Sequence, residues 1–229
     1  MDNNLFNHDV FNSWQKCKRR YYYKYVKKLS WPEKSDKYRI GKEVHALVDY
    51  YLRGFKLDNM LECSSDETLR HFEAIKNHTV LNNEVFITEW AFNVRIKNSY
   101  NWLIGRIDAI FYRPEDNKYL IVDWKTGQNV PKNPENSFQS KIYLYAFYRA
   151  HKDLGVDLKP ENVLFQYIKT PNDPNIQPIV YSGDIEKLYE NEFINIIESI
   201  ENERIFPPAD RCSLGVDCQF YSLCKKKQL

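Results

Sequence analysis

The stretch Trp102–Gly127, WLIGRIDAIFYRPEDNKYLIVDWKTG, holds two β-rich runs joined by the turn cluster Arg113-Pro114-Glu115-Asp116-Asn117. A turn of that composition folds the second strand back beside the first. Side-chain alternation then sets Asp123 and Lys125 on one face of the second strand and Trp124 on the other. Asp108, on the first strand, approaches Asp123. Two carboxylates with an ammonium close by make a site for a hard cation.

The rest of the chain bounds what such a site can serve. At 229 residues there is length for one large core, and 43% hydrophobic with 28% charged residues fits a soluble globular protein. Aromatics reach 15%, led by 17 Tyr, a surplus that suits surfaces that stack on or hydrogen-bond to ligands. The net charge is only +2, so any nucleic-acid binding must rest on local basic patches. No apolar run approaches a membrane span, and the opening MDNNLFNHDV carries no signal-peptide pattern. A cytoplasmic location is expected. Five Cys in such a chain argue for metal or redox chemistry over disulfides.

Apolar periodicity predicts a first helix from Asp9 to about Leu29, with Lys16, Arg20, Lys24 and Lys27 as a basic stripe. That stripe is either a solvated helix face or, interleaved with aromatics, a nucleic-acid groove. A second helix begins near Asp36 and a third spans Asp66–Leu81, with a loop around Cys63. Strands follow at Glu84–Ile96, Trp102–Tyr112 and Tyr119–Lys125. Then come a helix Ser137–Lys152, capped by Asn136 or Ser137, strands Val163–Lys169 and Pro178–Tyr181, and a helix Asp184–Glu203. The order predicts one mixed α/β sheet flanked by helices.

Five patterns fall on these elements in order. Gly41 to His45 is G-x-x-x-H on a helix, and Gly105 to Asp108 is G-x-x-D on a strand. Asp123 to Gly127 is D-x-K-T-G at a strand end, and Gln139 with Tyr143 is Q-x-x-x-Y on one helix face. Cys17 near the start matches in type Cys212, Cys218 and Cys224 near the end. In this combination the chain resembles the PD-(D/E)XK nuclease superfamily, and within it the RecB-like branch of CRISPR-associated exonucleases and the AddB nuclease domain.

The resemblance implies a restriction-endonuclease-like fold and a metal-dependent DNA nuclease, acting as an exonuclease on single strands or duplex ends. His45, Asp108 and Asp123, with the Trp124 backbone carbonyl, would ligate Mg²⁺ or Mn²⁺. The metal would activate a water, and Lys125 would orient it and offset phosphate charge. Gln139 and Tyr143 would face the site and the DNA backbone. Glu89, in FITEWAFNV, is either an acidic residue of the site or a surface charge. The alternative function is a non-catalytic binding or assembly subunit with the same fold.

The resemblance also implies that Cys17, Cys212, Cys218 and Cys224 hold a [4Fe–4S] cluster, with Zn²⁺ as the alternative. Residues 1–30 and 205–229 would then form one cluster subregion of a single nuclease domain spanning 1–229, the cysteine-rich end packed on the N-terminal helix. Cys63 has no place in that set. No phosphate-binding G-x-x-x-x-G-K-[ST] loop is present, so unwinding would fall to a helicase partner or to a CRISPR adaptation or repair complex. No membrane partner is expected.

Overall fold

The computed structural model describes residues 4–30, 36–127, 130–210, 212, 215 and 218–225. In chain order the elements are β1 (Leu5–Phe6), α1 (His8–Lys16), α2 (Lys18–Tyr21), α3 (Asp36–Leu52), α4 (Asp58–Glu62) and α5 (Asp66–Lys76). They continue with β2 (Glu84–Arg95), β3 (Trp102–Arg113), β4 (Lys118–Lys125), α6 (Phe138–Ala150), β5 (Val163–Lys169), β6 (Ile179–Val180), α7 (Gly183–Asn202) and α8 (Tyr221–Lys225).

The sheet runs β1-β3-β4-β5-β6, with β2 also paired along β3. Strands β2, β3 and β4 are antiparallel, whereas β5 lies parallel to β4 over Tyr119–Lys125. A parallel return needs a crossover, and α6 supplies it. The mixed α/β sheet with flanking helices expected from the sequence is the observed fold.

Each face of the sheet has its own core. Phe11, Phe138, Phe147 and Phe193 from α1, α6 and α7 pack on one face, against Ile121 of β4. Val44, Leu47 and Phe72 from α3 and α5 pack on the other, against Leu120, Val122 and Trp124. Alternation along β4 therefore supplies both cores, and Asp123 falls in the row of Ile121. Side-chain caps fix the helix starts: Asn7 for α1, Ser65 for α5, Ser137 for α6 and Ser182 for α7. Such caps contribute about 1 kcal/mol each.

Three local expectations are corrected. The helix expected over Asp9–Leu29 breaks at Cys17, whose backbone is extended at φ −170° and ψ 114°. Its sulfur accepts the Arg20 N–H at 3.4 Å and caps α2, which runs into a π-helical turn over Tyr22–Val26. The third helix stops at Lys76, and the His78 side chain caps a separate 3₁₀ turn at Thr79–Asn82. The segment expected as a loop around Cys63 holds α4, with Cys63 exposed at its end.

The break in the β3–β4 ladder makes room for a site. Pairing runs from Arg113–Lys118 up to Ala109–Val122 and ends there. Beyond it the Trp124 N–H has no strand partner on β3, and the Asp108 carboxylate accepts it instead, at 2.9 Å.

Candidate active site

Helix α3 delivers His45 to this opening. Gly41, one turn earlier on the same face, lies so close to the chain after β4 that a Cβ there would meet Thr126 Oγ1 at 3.2 Å. With glycine at that turn, the helix sits down on the strand end. His45 then donates from Nε2 to the Trp124 carbonyl at 3.1 Å, while its Nδ1 is 3.3 Å from Asp108 Oδ1. Burial alone would lower the His45 pKa. The charge and hydrogen bond of Asp108 outweigh it, with Asp123 and Glu89 adding, and raise the pKa to about 9. The charges that raise it mark a strongly negative pocket of the kind that attracts a cation, and release of a ring proton would free an imidazole nitrogen to bind one.

Asp123 is buried, and the other three groups around it form a chain of contacts. Gln139 Nε2 donates to Asp123 Oδ1 at 2.5 Å and to the Tyr143 hydroxyl at 3.2 Å. Lys125 Nζ donates to Gln139 Oε1 at 2.9 Å, sits 5.3 Å above the Tyr167 ring, and stands 2.6 Å from Asp123 Oδ2. That last contact is an ion pair, and Lys125 is the one partner of Asp123 Oδ2 among the described residues. Burial raises the Asp123 pKa above the carboxylate range, and Lys125 draws it back.

The buried Asp123 carboxylate, the carboxylates of Asp108 and Glu89 and the His45 imidazole form a hard oxygen and nitrogen donor set. They fit a divalent cation of the Mg²⁺ or Mn²⁺ kind. One atom each from His45, Glu89 and Asp108 lies within 4.8 Å of the other two. Asp123 stands outside that tight group, engaged by Gln139 and Lys125. An open cleft of about 930 Å³ borders the group, lined among others by Tyr38, Lys42, Tyr50 and Arg106.

Two residues of this neighbourhood lie outside the set expected from the sequence. Glu89 has the sequence signal of an acidic residue on the strand before G-x-x-D, which fits a surface charge equally well. His8 gives no such signal, because the two-residue strand that places it is too short to read. Half-buried at the start of α1, it meets Tyr143 edge-on, ring centroids 6.3 Å apart. Burial, then the charge of Lys125, lowers its pKa to about 4.

The members of the basic stripe differ in their settings. Lys24 pairs with Asp9, Lys27 lies 5.5 Å above the Tyr22 ring, Arg20 Nε is buried, and Lys16 is exposed. At the chain ends, the Arg19 N–H donates to the Pro207 carbonyl at 3.0 Å and its Nε to the Phe206 carbonyl at 2.6 Å. The Phe206 ring stacks on Tyr22, and Lys18 pairs with Glu203. Beside this clasp, burial raises the Cys224 thiol pKa. Arg19 opposes the rise, while Cys17, Cys212 and Cys218 reinforce it; among the described residues no three of these sulfurs lie within 4.8 Å of one another.

A family model described as the PD-(D/E)XK nuclease superfamily matches residues 6–225. Among solved structures, a crystal structure from Eubacterium rectale carrying an exonuclease assignment is similar at 13% identity and a TM-score of 0.53. It covers 94% of this chain and 87% of that one. The protein SSO0001 is similar at 18% identity and a TM-score of 0.45, over 90% and 80% of the two chains. No curated protein matches.

Proposed function

Because the chain belongs to the PD-(D/E)XK nuclease superfamily, we propose that it is a metal-dependent DNA nuclease of the RecB-like branch. It would act as an exonuclease on single strands or duplex ends. The observation that carries this reading is the buried Asp123 carboxylate paired with Lys125, with His45 and Asp108 across the strand opening.

When bound, a divalent cation lowers the pKa of a water and offsets charge building on the scissile phosphate. The chain's own residues do the rest. Asp108 and Asp123 supply negative charge, and Asp108 also fixes the strand end through the Trp124 N–H. Gln139 ties Asp123 to Lys125, so the ammonium is aimed from a fixed point and does not swing freely. Lys125 can hold the attacking water and balance phosphate charge. Tyr143 braces Gln139 from the next turn of α6.

The electrostatic influence of Cys17, Cys212 and Cys218 on the Cys224 thiol supports a [4Fe–4S] cluster held by the four, with Zn²⁺ as the alternative. Residues 1–30 and 205–229 would form its subregion within one nuclease domain. Cytoplasmic action beside a helicase or in a CRISPR adaptation or repair complex follows from the same branch. No helix among the described residues is long and apolar enough to cross a membrane.

The test is cleavage of labelled DNA with Mg²⁺ or Mn²⁺. Asp123→Asn and Lys125→Ala should each lower the rate by about 10²–10³-fold or more. DNA binding should persist in both, because it rests mainly on phosphate contacts. Metal-dependent cleavage at the wild-type rate by purified Asp123→Asn would sink the mechanism. A wild type that binds DNA and never cuts would favour the assembly-subunit reading.

A further inference from the structure

Glu89 lies on β2, whose register along β3 shifts between Val85 and Ile87. Past the shift, Thr88 pairs with Ala109 and Trp90 with Ile107, which brings Glu89 opposite Asp108. On the other side of β3, the Ala109–Val122 pair makes Asp123 the next residue level with Asp108. Three carboxylates thus stand in a row across three strands, and His45 reaches in from α3.

The backbone at Glu89 is left-handed, with φ 48°. For a residue with a full side chain, that conformation costs on the order of 1–3 kcal/mol. Its visible partner is Arg106, whose Nη1 is 3.0 Å from Glu89 Oε2. Arg106 is 67% exposed, and exposed pairs of this kind contribute about 0–1 kcal/mol. The ion pair is therefore too weak to account for the strained turn that aims the carboxylate. What the turn does achieve is to set a Glu89 oxygen within 4.8 Å of both His45 and Asp108.

We propose that Glu89 is a protein ligand of the divalent cation, bound from the side of Asp108 opposite Asp123, and that Arg106 is the counter-ion it gives up when the metal binds. The inference rests on the nuclease reading of the same site and adds a ligand that reading does not contain. It also assigns a purpose to the register shift and the left-handed residue, which the hairpin does not otherwise need.

Titration of the full chain with Mn²⁺ alone, by calorimetry without DNA, tests it. Glu89→Gln should weaken binding by at least the roughly 10–100-fold typical of disturbed metal environments. Glu89→Asn should do the same and is the safer variant to fold, because asparagine tolerates the left-handed region. Arg106→Gln should bind as tightly as wild type or more tightly. Wild-type affinity in both Glu89 variants would overturn the proposal, as would an equal loss in Arg106→Gln, which would make Glu89 a structural partner of that arginine. Asp108→Asn separates this from the nuclease reading. If it loses Mn²⁺ while the Glu89 variants keep it, only the Glu89 assignment fails; if it too binds normally, the cation site and the nuclease reading fail together.

Discussion

His8 sits where its protonation is suppressed. Its pKa in the fold is about 4 against an ordinary 6.5, because burial and Lys125 both disfavour the imidazolium. Between those values the unfolded chain binds more protons than the folded one, so stability falls as the pH drops from 6.5 toward 4. Urea midpoints measured at pH 7 and pH 5 should therefore fall further in wild type than in His8→Gln. Equal changes would show that His8 is freely protonated in the fold. Nothing in the sequence singles this histidine out, whereas His45, Asp108, Asp123, Lys125, Gln139 and Tyr143 are legible from their patterns. Glu89 stays ambiguous in the sequence because its placement depends on a register shift and a left-handed residue. Neither leaves a glycine or proline mark.

The β2–β3 pair shows how closely two elements can be matched. A Cβ on Gly105 would stand 2.6 Å from the Phe92 ring on the neighbouring strand. That ring is only 5% exposed, and it is boxed in by Trp90 and Tyr143. Gly105→Ala should destabilise by about 1–3 kcal/mol through overpacking. Phe92→Leu makes space, so the double variant should lose less than the sum of the two single changes in denaturant melts. Strict additivity would mean that the ring moves aside unaided. The strands and the helices α6 and α7 are legible because alternation and 3.6-residue periodicity coincide with caps and turn clusters. The break at Cys17 is not, since apolar spacing carries on through it from Trp14 to Tyr21 and only a sulfur cap interrupts the backbone. β1 is too short for any periodicity.

Across the whole molecule, the clasp of Arg19 on Phe206 and Pro207 joins a segment near residue 20 to one near residue 206. The proposed cluster would add bonds at the same place. Anaerobically purified protein should be brown, and serine at any one of Cys17, Cys212, Cys218 or Cys224 should bleach it and lower its Tm. Serine at Cys63, which is exposed, should do neither. A colourless preparation with stoichiometric zinc would select the zinc alternative, and one with no bound metal would reject both.

Folded stability as a whole also bears the mark of the left-handed backbone at Glu89. Glycine adopts that conformation freely, relieving about 1–2 kcal/mol of steric cost, against roughly 0.5–1 kcal/mol of added chain entropy. Glu89→Gly should therefore keep its Tm or gain a few degrees, roughly 2–4 °C per kcal/mol for a chain of this size, while Mn²⁺ affinity falls. A marked drop in Tm would make Glu89 a prop of the fold. The expected result makes position 89 a place where stability and activity trade against each other. A screen of variants for heat resistance alone would discard the glutamate, whereas a screen for cleavage would restore it.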